Sequence, residues 1–229
     1  MFDDVDNSYD VTDTLSAPQI NYDGIKDLHV NVVDSSNCDT KDCENYDPDS
    51  NIEAFQLVGN NMIESCKYYT EDSFKKLSSC FSNDCFSLFH NNIRSSVAHH
   101  NELEAYLQAV GRSFTAIGLC ETWLNNSNCH LYQLKGYMAE YTNRENKIGG
   151  GVMLYIKENV SYVRRSDIEA IFQNVAECVF VEMDGKQFGK KSTIIEEIYK
   201  PLDCNIAEFN ECFDKCLSTV DRVGKLCYV

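Results

Sequence analysis

Phe89-His90-Asn91-Asn92-Ile93-Arg94-Ser95 and Ile117-Gly118-Leu119-Cys120-Glu121-Thr122-Trp123-Leu124 stand about thirty residues apart. In each, an apolar run ends on a polar residue. Short apolar runs bounded this way read as strands. A helix-like segment from Glu102 to Val110 lies between them, and Asn101 is its expected cap. Leu103, Tyr106, Leu107 and Val110 fall at i, i+3, i+4 and i+7, which makes one apolar stripe. From Cys85 onward the pattern is therefore alternating α/β.

The same reading extends outward. Phe86 and Leu88 lead the first strand, and Phe114 to Leu119 form the second. Gly136 to Tyr141 and Gly151 to Ile156 are two further strands, separated by a segment that contains Gly149-Gly150-Gly151. Val175 to Met183 and Ser192 to Tyr199 form another pair, with Asp184-Gly185 as a hairpin-type signal. Ile206, Phe209, Phe213, Leu217 and Val220 mark an amphipathic helix that Asn205 can cap, and a last strand begins at Leu226-Cys227-Tyr228-Val229. Ahead of this body, Thr70 can cap a short helix whose apolar side is Phe74 and Leu77, and Asn83-Asp84 ends it.

The net charge of −16 is unevenly placed. Residues 1–84 carry 18 Asp/Glu against 5 Lys, whereas residues 85–229 carry 18 against 15 Lys/Arg. Acidity thus belongs to the N-terminal third. Residues 1–65, rich in Asp, Asn and Ser, read as a mostly disordered acidic tail. Residues 66–84 read as a helical lead-in, and 85–229 as the folded domain. The charge balance excludes a strongly basic nucleic-acid binder, so any DNA contact would be local and cation-assisted. No apolar run reaches the roughly 18 residues of a membrane span, and the first residues lack a secretory pattern. An intracellular setting is the expectation, and the 12 Cys then read as reduced, mostly buried thiols.

Asn92 and Glu121 are the candidate chemical residues, because strand ends present polar groups rigidly. A carboxylate suits Mg²⁺, a hard ion that prefers oxygen. An Asn amide beside it can orient the carboxylate or a phosphate oxygen. His90, on the same strand, reads as a partly buried strand residue. Ile194-Ile195-Glu196-Glu197-Ile198 carries two adjacent carboxylates in an otherwise apolar strand, and an unpaired buried carboxylate costs several kcal/mol.

Asn92-Ile93-Arg94-Ser95, Glu121-Thr122-Trp123-Leu124, Gly149-Gly150-Gly151-Val152 and Ile198-Tyr199-Lys200-Pro201 occur in this order. The series resembles the endonuclease/exonuclease/phosphatase superfamily, with the DNase I-like fold. Within it, the chain is most similar to the apurinic-type endonuclease domain of non-LTR retrotransposons. The resemblance covers about residues 85 to 229. It implies an α/β two-sheet sandwich (α+β sandwich), of which this chain holds the N-terminal part. It also implies Mg²⁺-assisted phosphodiester hydrolysis and DNA as partner, with no small-molecule cofactor. Asn92 matches the family's active-site Asn, Glu121 its metal-binding Glu, and Tyr199 the Tyr that faces the scissile phosphate. Trp123 and the glycine run are expected to shape the rim of the site.

The family's water-activating Asp/His pair comes from Gly-Asp-Phe-Asn and Ser-Asp-His motifs, and neither occurs in this sequence. The expectation is a partial nuclease domain, inactive as it stands. The alternative is a non-enzymatic fragment or interaction module on the same scaffold, and a phosphatase of the same superfamily is a third reading. A partial domain would also leave apolar residues such as Phe180 and Ile198 poorly covered.

Overall fold

A computed structural model describes residues 71–79, 86–144, 147, 149–184, 186, 192–222 and 226–228. The expected acidic tail, 1–65, lies outside the described residues, as do Thr70 and Asn83-Asp84. In chain order the elements are α1 (Glu71–Ser78), β1 (Leu88–Asn92), α2 (Ser96–Val110), β2 (Ala116–Cys120), β3 (Tyr137–Thr142) and β4 (Val152–Lys157). They continue with β5 (Tyr162–Arg164), α3 (Ser166–Glu169), β6 (Glu177–Met183), β7 (Thr193–Tyr199), α4 (Ile206–Arg222) and β8 (Leu226–Tyr228).

The strands form two four-stranded sheets, ordered β1-β2-β4-β3 and β5-β6-β7-β8. β1 and β2 are parallel, with Asn92 opposite Cys120, and β7 and β8 are parallel. The other pairs are antiparallel. A parallel pair needs a crossover, and α2 and α4 supply the two. The fold is thus a mixed α/β, two-sheet sandwich of the α+β kind.

Three apolar layers hold it together. Between the sheets lie Leu88, Ala116, Val152, Leu154, Ile156, Val179, Val181 and Ile195. On the outer face of the first sheet, Leu103, Tyr106 and Val110 of α2 meet Phe89, Ile117, Met153 and Tyr155. β4 is therefore buried on both faces, which explains its continuous apolar run. On the outer face of the second sheet, Cys212, Cys216 and Val220 of α4 and Ile168 of α3 cover Phe180 and Ile194. Each fully buried large aliphatic side chain contributes about 1.5–3 kcal/mol.

Two expectations are corrected here. Phe180 is fully buried, with its ring 5.8 Å from that of Phe172, and Ile198 packs against the same cluster. α3, α4 and the turn between α3 and β6 cover the face that was expected to be bare. The second correction concerns α2, which begins at Ser96 rather than after Asn101. Ser95 caps it, with its hydroxyl accepting the Ala98 N–H at 3.3 Å. The helix can begin so soon after β1 because Arg94 and Ser95 both take positive φ, 48° and 103°, which turns the chain within two residues. For the second long helix the expected cap holds: Asn205 Oδ1 accepts the Ala207 N–H at 2.9 Å.

Candidate functional site

The parallel pairing of β1 and β2 brings their C-terminal ends to one edge. Asn92 is the last residue of β1, and Glu121 follows directly on β2. Across 29 positions of sequence, Asn92 Nδ2 donates to Glu121 Oε1 at 3.1 Å. The other end of the amide is also fixed, since Asn92 Oδ1 accepts the Arg94 N–H at 3.2 Å. The amide therefore holds the carboxylate in one orientation. β7 of the second sheet runs to the same edge and ends at Tyr199. Burial, and then the Glu121 carboxylate that its hydroxyl faces, raise the Tyr199 pKa, so the phenol stays protonated at neutral pH. The three residues singled out from sequence thus meet at one edge of the sandwich.

The backbone here is unusual. Five described non-glycine residues have positive φ, and four of them, Arg94, Ser95, Glu121 and Trp123, flank this edge. Left-handed backbone at non-glycine residues costs of order 1–3 kcal/mol each and persists where surrounding bonds enforce it. Those bonds are present. Ser95 N–H donates to Glu121 O at 2.8 Å and Ser96 N–H to Thr122 O at 2.8 Å. Trp123 N–H donates to Gly150 O at 3.0 Å and Thr122 N–H to Gly151 O at 3.2 Å. Two loops and a helix start are stitched together, and Glu121 is carried between them. Through these two bonds the glycine run lies against this edge. Gly150 has φ 71°, and a Cβ there would fall 2.5 Å from the Arg144 guanidinium carbon. Trp123 stands over Gly149 and is 44% exposed.

Arg144 was not singled out from sequence, because an arginine in a polar segment before glycines carries no distinctive pattern. Its guanidinium binds Glu177 with two bonds of 2.7 and 2.8 Å. It also lies 5.4 Å from the centre of the Tyr199 ring. Glu177 and Tyr199 are register partners on β6 and β7, so the ion pair and the ring contact share one strand end. Beyond Arg144, an open cavity of about 490 Å³ is bounded by Asn143, Lys147, Ala176, Pro201 and Asp203. A cation thus stands next to the Tyr199 ring.

Glu197 was also missed as a partner. It lies two residues before Tyr199, buried between the sheets, with Oε1 3.0 Å from His90 Nε2. Hydrogen bonds with Cys120 and with Glu197 raise the His90 pKa to about 10, so the imidazole is charged at neutral pH. Burial pushes the Glu197 carboxyl up, and His90 opposes it. The sequence signal was the Glu196-Glu197 pair itself. Its resolution required a histidine 107 positions away, on the other sheet.

The donors at the edge are a carboxylate, an amide and a phenol, all oxygen-bearing and partly accessible. Mg²⁺ usually keeps several waters and takes one or two protein carboxylates, so Glu121 with its Asn92 support fits that ion. Among the described residues, no helix is long and apolar enough to cross a membrane. Compared with models of known protein families and with curated protein sequences, the chain matches none.

Proposed function

We propose that the chain carries the metal- and phosphate-binding half of a Mg²⁺-assisted DNA phosphodiesterase site. In this reading the domain is DNase I-like, of the retroelement endonuclease kind. The observation that carries it is the Asn92–Glu121 bond, with Tyr199 brought to the same edge from the second sheet. Glu121 would hold Mg²⁺, which when bound stabilises negative charge on a phosphodiester. Asn92 fixes the Glu121 carboxylate and has an amide directed at the same point. Tyr199, kept protonated, donates a hydrogen bond to a phosphate oxygen. Arg144, already paired with Glu177, holds the Tyr199 ring in place.

Turnover needs more than this. His90, His99 and His100 each face a glutamate, and none pairs with an aspartate at this edge. General-base help of that kind is typically worth about 10²–10⁴ in rate. In this reading, with none of these three histidines as its base, the chain binds DNA without cutting it. This makes a non-catalytic DNA-binding module on a nuclease scaffold the working form of the proposal.

The test has two arms. Binding of a short duplex DNA should strengthen with Mg²⁺ and lose that dependence in Glu121→Ala. Plasmid nicking should not rise above the Glu121→Ala control. Binding that ignores Glu121 overturns the site, and Glu121-dependent nicking overturns the claim of a missing base.

A further inference from the structure

One residue layer beneath the edge lies a second set of ligating side chains, with different chemistry. His90 on β1, Cys120 at the end of β2 and Glu197 on β7 place an imidazole nitrogen, a thiol sulfur and a carboxylate oxygen within 4.8 Å of one another. They come from both sheets. The His90–Glu197 pair comes close to the length of one edge of a tetrahedral site. Zinc holds nitrogen and oxygen at about 2.0–2.1 Å and sulfur at about 2.3 Å, which separates N and O ligands by roughly 3.3 Å. His90 Nε2 and Glu197 Oε1 are 3.0 Å apart, so a small spread would admit the ion. Space for the carboxylate comes from Gly118, the β2 residue opposite it, where any side chain would overlap Glu197.

Burial and donor type point the same way. The Glu197 side chain is 4% exposed and that of His90 43%. The cluster is therefore closed on the Glu197 side and open past the imidazole, which gives an ion a way in and leaves a position for water. One thiolate, one imidazole and one carboxylate suit a borderline ion such as Zn²⁺ and not Mg²⁺, which takes oxygen ligands. A site with three protein ligands and one open position is a familiar zinc arrangement. Binding would release the thiol and imidazolium protons to solvent.

We propose that His90, Cys120 and Glu197 form a Zn²⁺ site that ties the two sheets together beneath the Asn92–Glu121 edge. It does not depend on the phosphodiesterase reading, because none of its three ligands belongs to that site.

The full chain, reduced and stripped of metal with chelator, is titrated with Co²⁺ as a coloured stand-in and then with Zn²⁺. The wild type should take up one equivalent of Co²⁺ at micromolar protein. It should show tetrahedral ligand-field bands and a charge-transfer band of single-thiolate intensity, both displaced by Zn²⁺. Zn²⁺ should raise the melting temperature. Cys120→Ser should abolish the charge-transfer band, whereas Cys216→Ser, on α4 in the outer layer, should keep it. Glu197→Gln should weaken binding at least about tenfold, the smaller effect known for a partner of a ligand. No saturable one-equivalent uptake by the wild type overturns the proposal, whatever the variants do. So does a thiolate band that survives Cys120→Ser, which would put the ion on other cysteines.

Discussion

Gly118 and Glu197 face each other across the two sheets so closely that the carboxylate occupies the space a side chain at 118 would need. The buried charge, its His90 partner and the bare backbone opposite are one device. Gly118→Ala should destabilise the protein by about 1–3 kcal/mol, the usual cost of forcing atoms into a filled core. Glu197→Ala removes the obstacle, so the double variant should be more stable than the sum of the two single losses implies. Urea melts of the four proteins check this. Strict additivity would mean the two residues do not share the space.

Arg144 donates to both carboxylate oxygens of Glu177 while covering the Tyr199 ring. Arg144→Ala should cost about 1–3 kcal/mol, because it leaves a mostly buried carboxylate without its charged partner. It should also loosen Tyr199, which the tyrosine ring resonances report. Arg144→Lys should recover little, since an ammonium cannot make the two-pronged bond. A lysine variant as stable as wild type would contradict this.

Ser95 is a cap with φ 103°, where a side chain is strained and a glycine is not. Ser95→Ala should lose about 0.5–2 kcal/mol with the cap hydrogen bond. Ser95→Gly should lose less than the alanine variant, because relief of the backbone offsets part of the lost bond. Thermal melts rank the three proteins, and the reverse order of alanine and glycine would refute the account of this turn.

Burial pushes the Cys178 and Cys216 thiols up to about 12. The thiolate is the reactive form, so at pH 8 almost none is present in the fold. Both should resist alkylation at pH 8 until the protein unfolds, whereas the more accessible Cys204 reacts before them. Peptide mapping of timed alkylation reads the order. Early labelling of Cys216 would show that α4 does not cover the sheet as described.

The parts of the fold that were readable in the sequence are those set by local pattern. The apolar runs of β1, β2, β4, β6 and β7 announced themselves, and Asn92 and Glu121 stood out because each ends such a run. Their meeting follows from a parallel pair joined by one helix, which places both strand ends on the same side. The start of α2 was not readable, because Asn-Ile-Arg-Ser carries no mark of the two positive φ values that bend it. β5 was missed because three residues are too few for a period to show. The partner of Glu197 was hidden for another reason: a charge pair across two sheets leaves no trace in spacing. The two adjacent glutamates looked like a defect until Gly118 and His90 appeared opposite one of them.

The central claim is that Glu121, oriented by Asn92 and faced by Tyr199, is a divalent-cation site at the sheet edge. Nuclear magnetic resonance with substoichiometric Mn²⁺, standing in for Mg²⁺, tests it most directly. The account predicts selective broadening of the Asn92 side-chain amide, of the backbone amides of Glu121 to Trp123 and of Tyr199, reversed by excess Mg²⁺ and lost in Glu121→Ala. Broadening that spares these residues, or that persists unchanged in Glu121→Ala, would contradict it.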